Sequence, residues 1–560
     1  MIFEDIFKEI GDFGRGQIFQ YFLLCWPFLM AGFLSVDVVF LMAVPEFVCK
    51  PDNVTMYKLQ LLSNTTSVSK IADILILLQK SMDNYKTSRC YSWNTSMIMN
   101  LTSINLIANR SRLDFQNVTL DSKCSNGFIY STQSYGSTAP NEYDLVCDSD
   151  YIRSNLKTIF FAGRIFGAVI FGQLSDIIGR LRTFLIVVVF NLIAGLGLYF
   201  SINPIMIGGF LLLQGFSQVG YTLTTFVLGC ELVGTSKRKW TGTVLQLFYT
   251  AAFILIPLCY WGMQNWRYLA LFSGLPSIFF LSYFFIVYES PRWLLSKGRS
   301  KEALIIIEKV GKTNHIKLSE NLKTEILKHH ESEEYKNDTE KKHSVFDLIK
   351  SKSMLLLSLN VWFNWIVNAL IYYGIIYNVE NLAGSLYLNF ILLGLVEIPA
   401  YVLNLLFLDR IGRRNLLIIS LWGTGVACLL SGCVPKYNTV IIATIAMIGK
   451  LTVTMSYGVV YFYTSELFPT TVRNAAMGVS SMSARIGGTM ATPILLLDHY
   501  FSPLPMIIFA ILSAVAGGLT FKMPETKGKP LDQNFHKSSV KNERKTAEDD
   551  PKPLINDEKV

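Results

Sequence analysis

The chain has 560 residues, of which 51% are hydrophobic and 16% are charged, and its mean hydropathy is +0.37. A chain this apolar is too hydrophobic to be a set of soluble domains, so the composition indicates a protein that crosses the membrane several times. The excess of 50 Lys and Arg over 41 Asp and Glu gives a net charge of +9. This excess needs no nucleic-acid partner, because its distribution follows the membrane topology.

Twelve apolar stretches are long enough to cross a bilayer, which takes about 20 residues each. We therefore predict an all-α membrane protein with twelve transmembrane helices. The predicted segments are an N-terminal segment (1–17), a first span (18–44), a long loop (45–154), spans two to six (155–287), a linker (288–353), spans seven to twelve (354–521) and a polar tail that we expect to be disordered (522–560).

The short loops on one side of the membrane carry most of the loop Lys and Arg residues. An even number of spans places both termini on this same side, and the positive-inside rule puts that side in the cytosol. The basic residues concerned are Arg180, Arg182, Lys237, Arg238, Lys239, Arg410, Arg413, Arg414 and Arg473.

The long loop 45–154 has the features of an extracellular domain. Four cysteines suggest two disulfides, with three connectivities that the sequence does not rank: Cys49, Cys90, Cys124 and Cys147. Because glycans are attached to lumenal loops, the Asn-x-Ser/Thr sequons predict glycosylation and agree with the charge rule. The loop holds six of them, at Asn53, Asn64, Asn94, Asn100, Asn109 and Asn117, and the rest of the chain holds one, at Asn337.

The polar linker 288–353 contains four of the six histidines, at His315, His329, His330 and His343. No span supplies an accompanying ligand, so a solvated cytoplasmic linker is favoured over a metal site, and we predict no metal. The last residues of the tail, Asp557 to Val560, also match a ligand that could add to a sheet edge in a PDZ-type contact.

The chain contains an internal repeat. The motif from Asp176 to Arg180 recurs 233 residues later from Asp409 to Arg413, and a Glu that precedes an Arg by seven residues occurs at Glu231 and again 235 residues later at Glu466. Two six-span halves related in this way are typical of a transporter whose halves rock about a central site.

The repeated charges lie at the predicted cytoplasmic ends of the spans. We predict that they form an ion-pair lattice between the halves that closes the inside and opens during transport; the alternative is that they only anchor the topology. The predicted gate residues are Asp176, Arg180, Glu231, Arg238, Asp409, Arg413, Glu466 and Arg473.

Six motifs, in this order and at this spacing, resemble those of the organic ion transporters of solute carrier family 22, a branch of the major facilitator superfamily. They are GQLSDIIGR, VLGCELVGTSKR, YESPRWLLSKGR, VEIPAY, LDRIGRR and ELFPTTVRN. The stretches FVLGCELVG and VEIPAY are most similar to the organic cation/carnitine branch. The resemblance implies the major facilitator fold, a multi-pass protein of the plasma membrane and transport of small organic ions by alternating access. No metalloprotease motif, nucleophile elbow or phosphate-binding loop indicates an enzyme.

We single out four ionisable residues that lie within predicted spans, because charges in the membrane interior are costly and usually functional: Asp37, Arg164, Glu397 and Arg485. At the position of Arg485 the resemblance implies an acidic residue in cation-selective members and Arg in anion and zwitterion transporters. A guanidinium there can hold a substrate carboxylate with two parallel hydrogen bonds. The alternative is a structural arginine paired with Glu397.

The expected substrate follows from the residues around Arg485. The resemblance implies that anion-selective members typically have Lys where Tyr401 stands. A cavity with one Arg, the carboxylate of Glu397 and several rings therefore suits a zwitterion or cation such as a carnitine-like quaternary ammonium compound. The alternatives are an organic anion exchanger and a membrane sensor that does not transport. The resemblance adds further lining residues, for which ordinary helix packing is the alternative: Gln218, Tyr221, Gln246, Tyr249, Trp365 and Tyr372.

Asp37 and Arg164 lie at similar depths on spans that are adjacent in sequence. We predict that they form an ion pair; the alternative makes Asp37 a cation-coupling site. We expect no cofactor other than a coupling ion, Na⁺ or H⁺.

Overall fold

The structure is a computed structural model that describes residues 6–7, 9–62, 67–80, 90–93, 120–124, 126–132, 135–234, 237–328, 348, 351–379, 385–434, 439–468 and 472–527. The chain starts with a long helix, α1 (Arg15–Leu41), that is buried along most of its length although Pro27 lies within it. Because α1 is surrounded by other helices, it is apolar on all sides and has no polar face.

A small domain follows α1 and is held by two disulfides. It comprises β1 (Phe47–Cys49), α2 (Asn53–Leu62), α3 (Val68–Lys80), β2 (Tyr91–Trp93), β3 (Leu120–Lys123), β4 (Phe128–Tyr130) and α4 (Ala139–Glu142). Strand β1 pairs antiparallel with β4, and β2 with β3. Cys49 is bonded to Cys124 and Cys90 to Cys147, which confirms two disulfides. Asn53 is exposed at the start of α2, whereas the other five predicted glycosylation sites lie outside the described residues.

Glu142 connects this domain to the membrane helices through hydrogen bonds. Its carboxylate accepts hydrogen bonds from Arg267, at 2.5 Å, and from the indole of Trp266, at 2.8 Å. Burial raises the pKa of Glu142, but the bonds from Arg267 and Trp266 outweigh it, so the pKa lies below its usual value.

The first half of the membrane domain continues with α5 (Asp150–Ile178), α6 (Arg180–Tyr199), α7 (Pro204–Glu231) and α8 (Arg238–Met263). Its sixth crossing is interrupted into α9 (Trp266–Gly274), α10 (Pro276–Leu281) and α11 (Tyr283–Ile286). The first of the two breaks falls where Pro276 removes a backbone donor from the helix.

The segment between the halves folds into three helices, α12 (Pro291–Ser296), α13 (Ser300–Thr313) and α14 (Glu320–Lys328). They share an apolar core with Ile6, Phe7 and Ile10 near the N-terminus. This part of the linker is therefore packed rather than only solvated. Within the described residues no group of three or more His, Cys, Asp and Glu could hold a metal ion; three of the four linker histidines and the tail from 528 onwards lie outside that part.

The second half comprises α15 (Lys352–Asn378), α16 (Leu386–Ile411), α17 (Arg413–Cys433), α18 (Thr439–Leu467), α19 (Arg473–Leu495) and α20 (Leu504–Thr520). The described residues thus contain two sets of six crossings. Nine of these crossings are long and apolar enough on their own to span a membrane. Polar and small side chains lower the hydropathy of α7 and α19, and α20 has 17 residues. The predicted all-α membrane fold is confirmed.

The repeated motif has the same backbone conformation in both halves. Gly179 separates α5 from α6 with φ of 111°, and Gly412 separates α16 from α17 with φ of 95°. A side chain is disfavoured at these angles, so glycine permits two long helices to follow each other without a loop. We call the face with these turns, the linker helices and the first and last described residues, Ile6 and Lys527, the terminal side. The opposite face, with the disulfide-bonded domain, is the loop side.

Candidate substrate site

A cavity of about 390 Å³ lies between the two halves. Residues from both halves line it, including Phe28, Phe161, Arg164, Gln218, Gln246 and Tyr249 from the first half and Tyr372, Tyr373, Tyr401, Asn404, Tyr457, Tyr461 and Arg485 from the second. A pocket of this size with convergent polar groups and aromatic rings is suited to a small organic molecule.

The cavity reaches the terminal side and is closed toward the loop side. Its wall continues to the terminal-side ends of α7, α16 and α18, at Phe226, Leu408 and Phe462. The loop side is closed by a cluster of rings from both halves, which we call the aromatic closure: Phe40, Phe253, Tyr260, Tyr387 and Phe390. The centroids of Phe40 and Phe390 are 4.9 Å apart, and those of Tyr260 and Tyr387 are 6.2 Å apart.

Arg485 lies near the middle of α19 and faces this cavity. Its guanidinium bonds to its own helix, donating to the backbone carbonyl of Ser481 and, at 2.6 Å, to the Ser481 hydroxyl. Its Nε is buried and has no hydrogen-bond partner among the described residues. The guanidinium therefore retains hydrogen-bonding capacity for a ligand.

Glu397 does not line the cavity, so that prediction is wrong, and it does not pair with Arg485, so the structural alternative is wrong as well. Its fully buried carboxylate forms an ion pair with Lys450 at 2.6 Å. It also accepts hydrogen bonds from Thr250 and Tyr372, each at 2.6 Å. These three partners neutralise and satisfy it, so it has no reason to turn toward Arg485.

Lys450 is a fifth intramembrane charge that the sequence interpretation overlooked. Its ammonium lies 3.4 Å from the centroid of the Tyr372 ring. The signal was a single Lys inside the apolar run of the tenth span, at a depth where the rule applied to the other four charges would have selected it. Thr250 belongs to the first half, so the Glu397 site also joins the two halves.

The predicted ion pair between Asp37 and Arg164 is also wrong. Asp37 is buried in the interior of the first half, where Gln214 donates to its carboxylate at 2.8 Å. Arg164 points into the cavity and donates to the hydroxyl of Tyr373 in the second half at 2.6 Å. The two side chains have similar depth but leave their helices toward different surroundings, which depth alone does not reveal.

Arg164 is held among rings rather than carboxylates. The carbon of its guanidinium lies 4.8 Å from the ring centroid of Tyr373 and 5.0 Å from that of Phe161. The electron-rich faces of aromatic rings attract cations. These contacts position the side chain, but no described residue supplies a counter-ion for its charge.

Of the seven remaining predicted lining residues, five line the cavity and two do not. Gln218, Gln246, Tyr249, Tyr372 and Tyr401 line the cavity.

Tyr221 and Trp365 do not line it, which corrects the prediction. The Tyr221 hydroxyl is 3.0 Å from that of Ser277 inside the first half. Trp365 lies behind the wall, where it donates to Thr464 at 2.9 Å and packs 4.2 Å from the Tyr461 ring. Tyr457 and Tyr461 were missed, although their spacing of four residues puts both on one helix face.

Six of the eight predicted gate residues form two clusters on the terminal side, one within each half. Arg180 contacts Asp176 and Glu231, each at 3.1 Å. Arg413 contacts Asp409 at 3.1 Å and Glu466 at 3.0 Å.

The predicted lattice between the halves is therefore absent from the described residues, because the cavity opens here and separates them. Arg473 makes no ion pair within that part of the chain, and the Arg238 side chain lies outside it.

A further acidic residue stabilises each cluster. The carboxylate of Glu289 accepts from the backbone N–H of Arg180 at 3.0 Å, and that of Glu525 accepts from the backbone N–H of Arg413 at 3.0 Å. Each binds the start of a helix, where backbone donors are otherwise unpaired. Burial raises the pKa of Glu289, partly offset by these backbone bonds.

Comparison with known proteins identifies the family. The family model described as "Sugar (and other) transporter" matches residues 115–535. The chain is 33% identical over 546 residues to the organic cation transporter protein of Drosophila melanogaster, covering 96% of this chain and 94% of the relative. It is 32% identical to solute carrier family 22 member 3 of Mus musculus, covering 95% and 94%. The chain belongs to solute carrier family 22. Another member, organic cation/carnitine transporter 2 of Mus musculus, is 30% identical over 531 residues, covering 94% and 92%.

Solved structures support the fold of this family. The inward-open xylose transporter XylE from E. coli aligns with a TM-score of 0.58 at 16% identity, covering 91% of this chain and 98% of XylE. At this identity the likeness concerns the fold alone. The chain is thus a multi-pass membrane transporter with the major facilitator fold, as its motifs imply.

Proposed function

We propose that the chain is a secondary transporter of the plasma membrane that carries a small organic ion bearing a carboxylate. The observation that carries the proposal is Arg485, a guanidinium near the middle of α19 that faces a water-accessible cavity and pairs with no carboxylate in the part of the chain that the structure describes. A charge at this depth is costly without a partner, and a substrate carboxylate supplies one.

The aromatic rings of the cavity favour a zwitterion with a quaternary ammonium group. Tyr372, Tyr401, Tyr457 and Tyr461 all line the wall on the Arg485 side. A ring face contributes about 0.5–2 kcal/mol to binding a cation. The name of one mouse relative, organic cation/carnitine transporter 2, is consistent with such a substrate.

An organic anion is the second candidate, and Arg164 favours it. With Glu397 paired to Lys450, the described lining contains two guanidiniums and no carboxylate. The net positive wall favours an anion over a simple cation.

Transport follows from rocking of the halves. The terminal side, which we assign to the cytosol by the positive-inside rule, is open in this conformation. Opening the loop side requires the aromatic closure to separate and cross-half hydrogen bonds to change, among them those from Thr250 to Glu397, from Arg164 to Tyr373 and between the hydroxyls of Thr158 and Thr492. The gate clusters within each half do not need to break.

Uptake by cells that express Arg485→Gln tests the proposal. We expect at least a tenfold loss for radiolabelled carnitine and for an aryl carboxylate, because a charge-assisted hydrogen bond contributes about 1.5–3 kcal/mol. Tetraethylammonium, which lacks a carboxylate, should not show this loss.

Arg182→Gln, at an exposed arginine, is the matched control, and surface biotinylation corrects for expression. Undiminished uptake of both carboxylates by Arg485→Gln would refute the assignment. Wild-type uptake of carnitine but not the aryl acid favours the zwitterion, and the reverse favours the anion. Replacing external Na⁺ and changing external pH in the same assay tests coupling to either ion.

A further inference from the structure

Arg164 is a second guanidinium in the cavity, on the opposite half from Arg485. The residue is 7% exposed, and its Nε and Nη1 are buried without a hydrogen-bond partner among the described residues. Its Nη2 donates only to the neutral hydroxyl of Tyr373. Several N–H groups of a buried cation are therefore available on the cavity wall.

The nearby intramembrane carboxylates do not neutralise Arg164. Asp37 accepts from Gln214 inside the first half, and Glu397 is paired with Lys450 behind the wall. Since Arg485 likewise pairs with no carboxylate among the described residues, the described cavity lining carries two positive charges and no negative one. Two such charges in a partly desolvated cavity repel each other and favour binding of negative charge.

We propose that Arg164 is a second anion-binding site, so that the cavity holds two negatively charged groups at once. One is the substrate carboxylate at Arg485, and the other, at Arg164, is either a second acidic group of the same substrate or a free small anion. The inference rests on the proposed function for the first group and adds the second. For a diacid both charges arrive together, whereas a zwitterion leaves the Arg164 site to a separate anion.

The site also has a consequence for the transport cycle. The one protein hydrogen bond of Arg164 within the described residues reaches across to Tyr373 of the second half. An anion bound to the remaining donors neutralises the guanidinium before the halves move apart. The bound anion thereby lowers the free-energy cost of keeping the Arg164 guanidinium charged in the membrane interior when its hydrogen bond to Tyr373 breaks.

Binding to the purified full-length chain in nanodiscs tests the site with two five-carbon probes, glutarate and pentanoate. We expect wild type either to bind glutarate at least about tenfold more tightly than pentanoate, or to bind pentanoate about tenfold more tightly in chloride buffer than in a chloride-free, low-salt buffer balanced with sucrose. The first result places the second charge on the substrate, and the second result assigns it to a free anion.

Variants of Arg164 test whether the tenfold difference found in either comparison depends on this residue. Arg164→Gln should reduce it to less than about twofold, whereas Arg164→Lys should keep most of it because the positive charge remains. Wild type that shows neither effect overturns the proposal, as does an effect that survives in Arg164→Gln. If Arg164→Gln does not fold, loss of the effect in Arg164→Lys overturns it.

Transport by the same protein in liposomes separates this inference from the proposed function. Binding with the Arg164 effect but no flux of any probe contradicts the transporter assignment and leaves the anion site standing. Flux of carboxylates without the effect contradicts the anion site and leaves the transporter assignment standing.

Discussion

Removal of one partner from the ion pair of Lys450 and Glu397 should destabilise the protein strongly. Their charged atoms are 2.6 Å apart and both side chains are fully buried. At an effective dielectric constant of about 20 the attraction is about 6 kcal/mol, and measured losses on breaking such a pair are about 3–5 kcal/mol. For Lys450→Met the loss of stability should lie at the lower end of this range, about 3 kcal/mol, because Glu397 keeps its hydrogen bonds from Thr250 and Tyr372.

The double variant distinguishes the pair from the individual side chains. Combining Glu397→Gln with Lys450→Met removes both charges, so it should be more stable than either single variant, with a coupling energy of about 2 kcal/mol or more. The reason is that most of each single loss comes from the charge that remains buried.

Heating of the purified protein followed by size-exclusion chromatography measures the effect. Each single variant should unfold about 5 °C or more below wild type, and Lys522→Met, at an exposed lysine, is the matched control. The reasoning is refuted if the single variants match this control, or if the double variant loses the sum of the two single losses.

Three further predictions concern other parts of the chain. Asp37→Asn should reach the cell surface as wild type does, because the buried site accepts a neutral side chain, whereas Asp37→Lys should not; equal surface biotinylation of the two would contradict this. Glu142→Gln should lower the unfolding temperature at pH 7 by an amount equivalent to about 1 kcal/mol. The difference in unfolding temperature should shrink as the pH falls below about 4.3, the ordinary pKa of Glu, toward the lower pKa of folded Glu142. The reason is that protonation of Glu142 releases Arg267 in wild type as well. A difference that does not change with pH would contradict this prediction. Gly163→Val should abolish expression of folded protein because a Cβ there would lie 2.0 Å from a backbone oxygen of α7, whereas Gly172→Val on the same helix has open space and should be tolerated; chromatography of fluorescent fusions compares them.

The fold could be predicted from the sequence because its signals are local and repeated. Apolar length marks each crossing, and the motifs at Asp176 and Asp409 mark the two halves without any knowledge of their packing. The folded linker was missed because its apolar residues pack against Ile6, Phe7 and Ile10, which are about 300 positions away in sequence.

The candidate site could be predicted only in part. Residue type and depth selected Arg485 and Arg164, but they do not determine the direction in which a side chain leaves its helix. For this reason the sequence interpretation paired Arg164 with Asp37 and assigned Glu397 to the cavity wall. The partner of Glu397 is 53 residues further along the chain, on a helix whose orientation becomes known only when the half is assembled.

The two sides of the cavity differ in the chemistry that controls access. The aromatic closure joins the halves through ring contacts, whereas the charged clusters on the terminal side act within each half. Opening the loop side exposes apolar surface to water. The free energy of this exposure has a positive heat-capacity change and depends only weakly on ionic strength. Cooling weakens such contacts. The balance between the two orientations should therefore shift with temperature more than with salt, with lower temperature increasing the population that is open to the loop side.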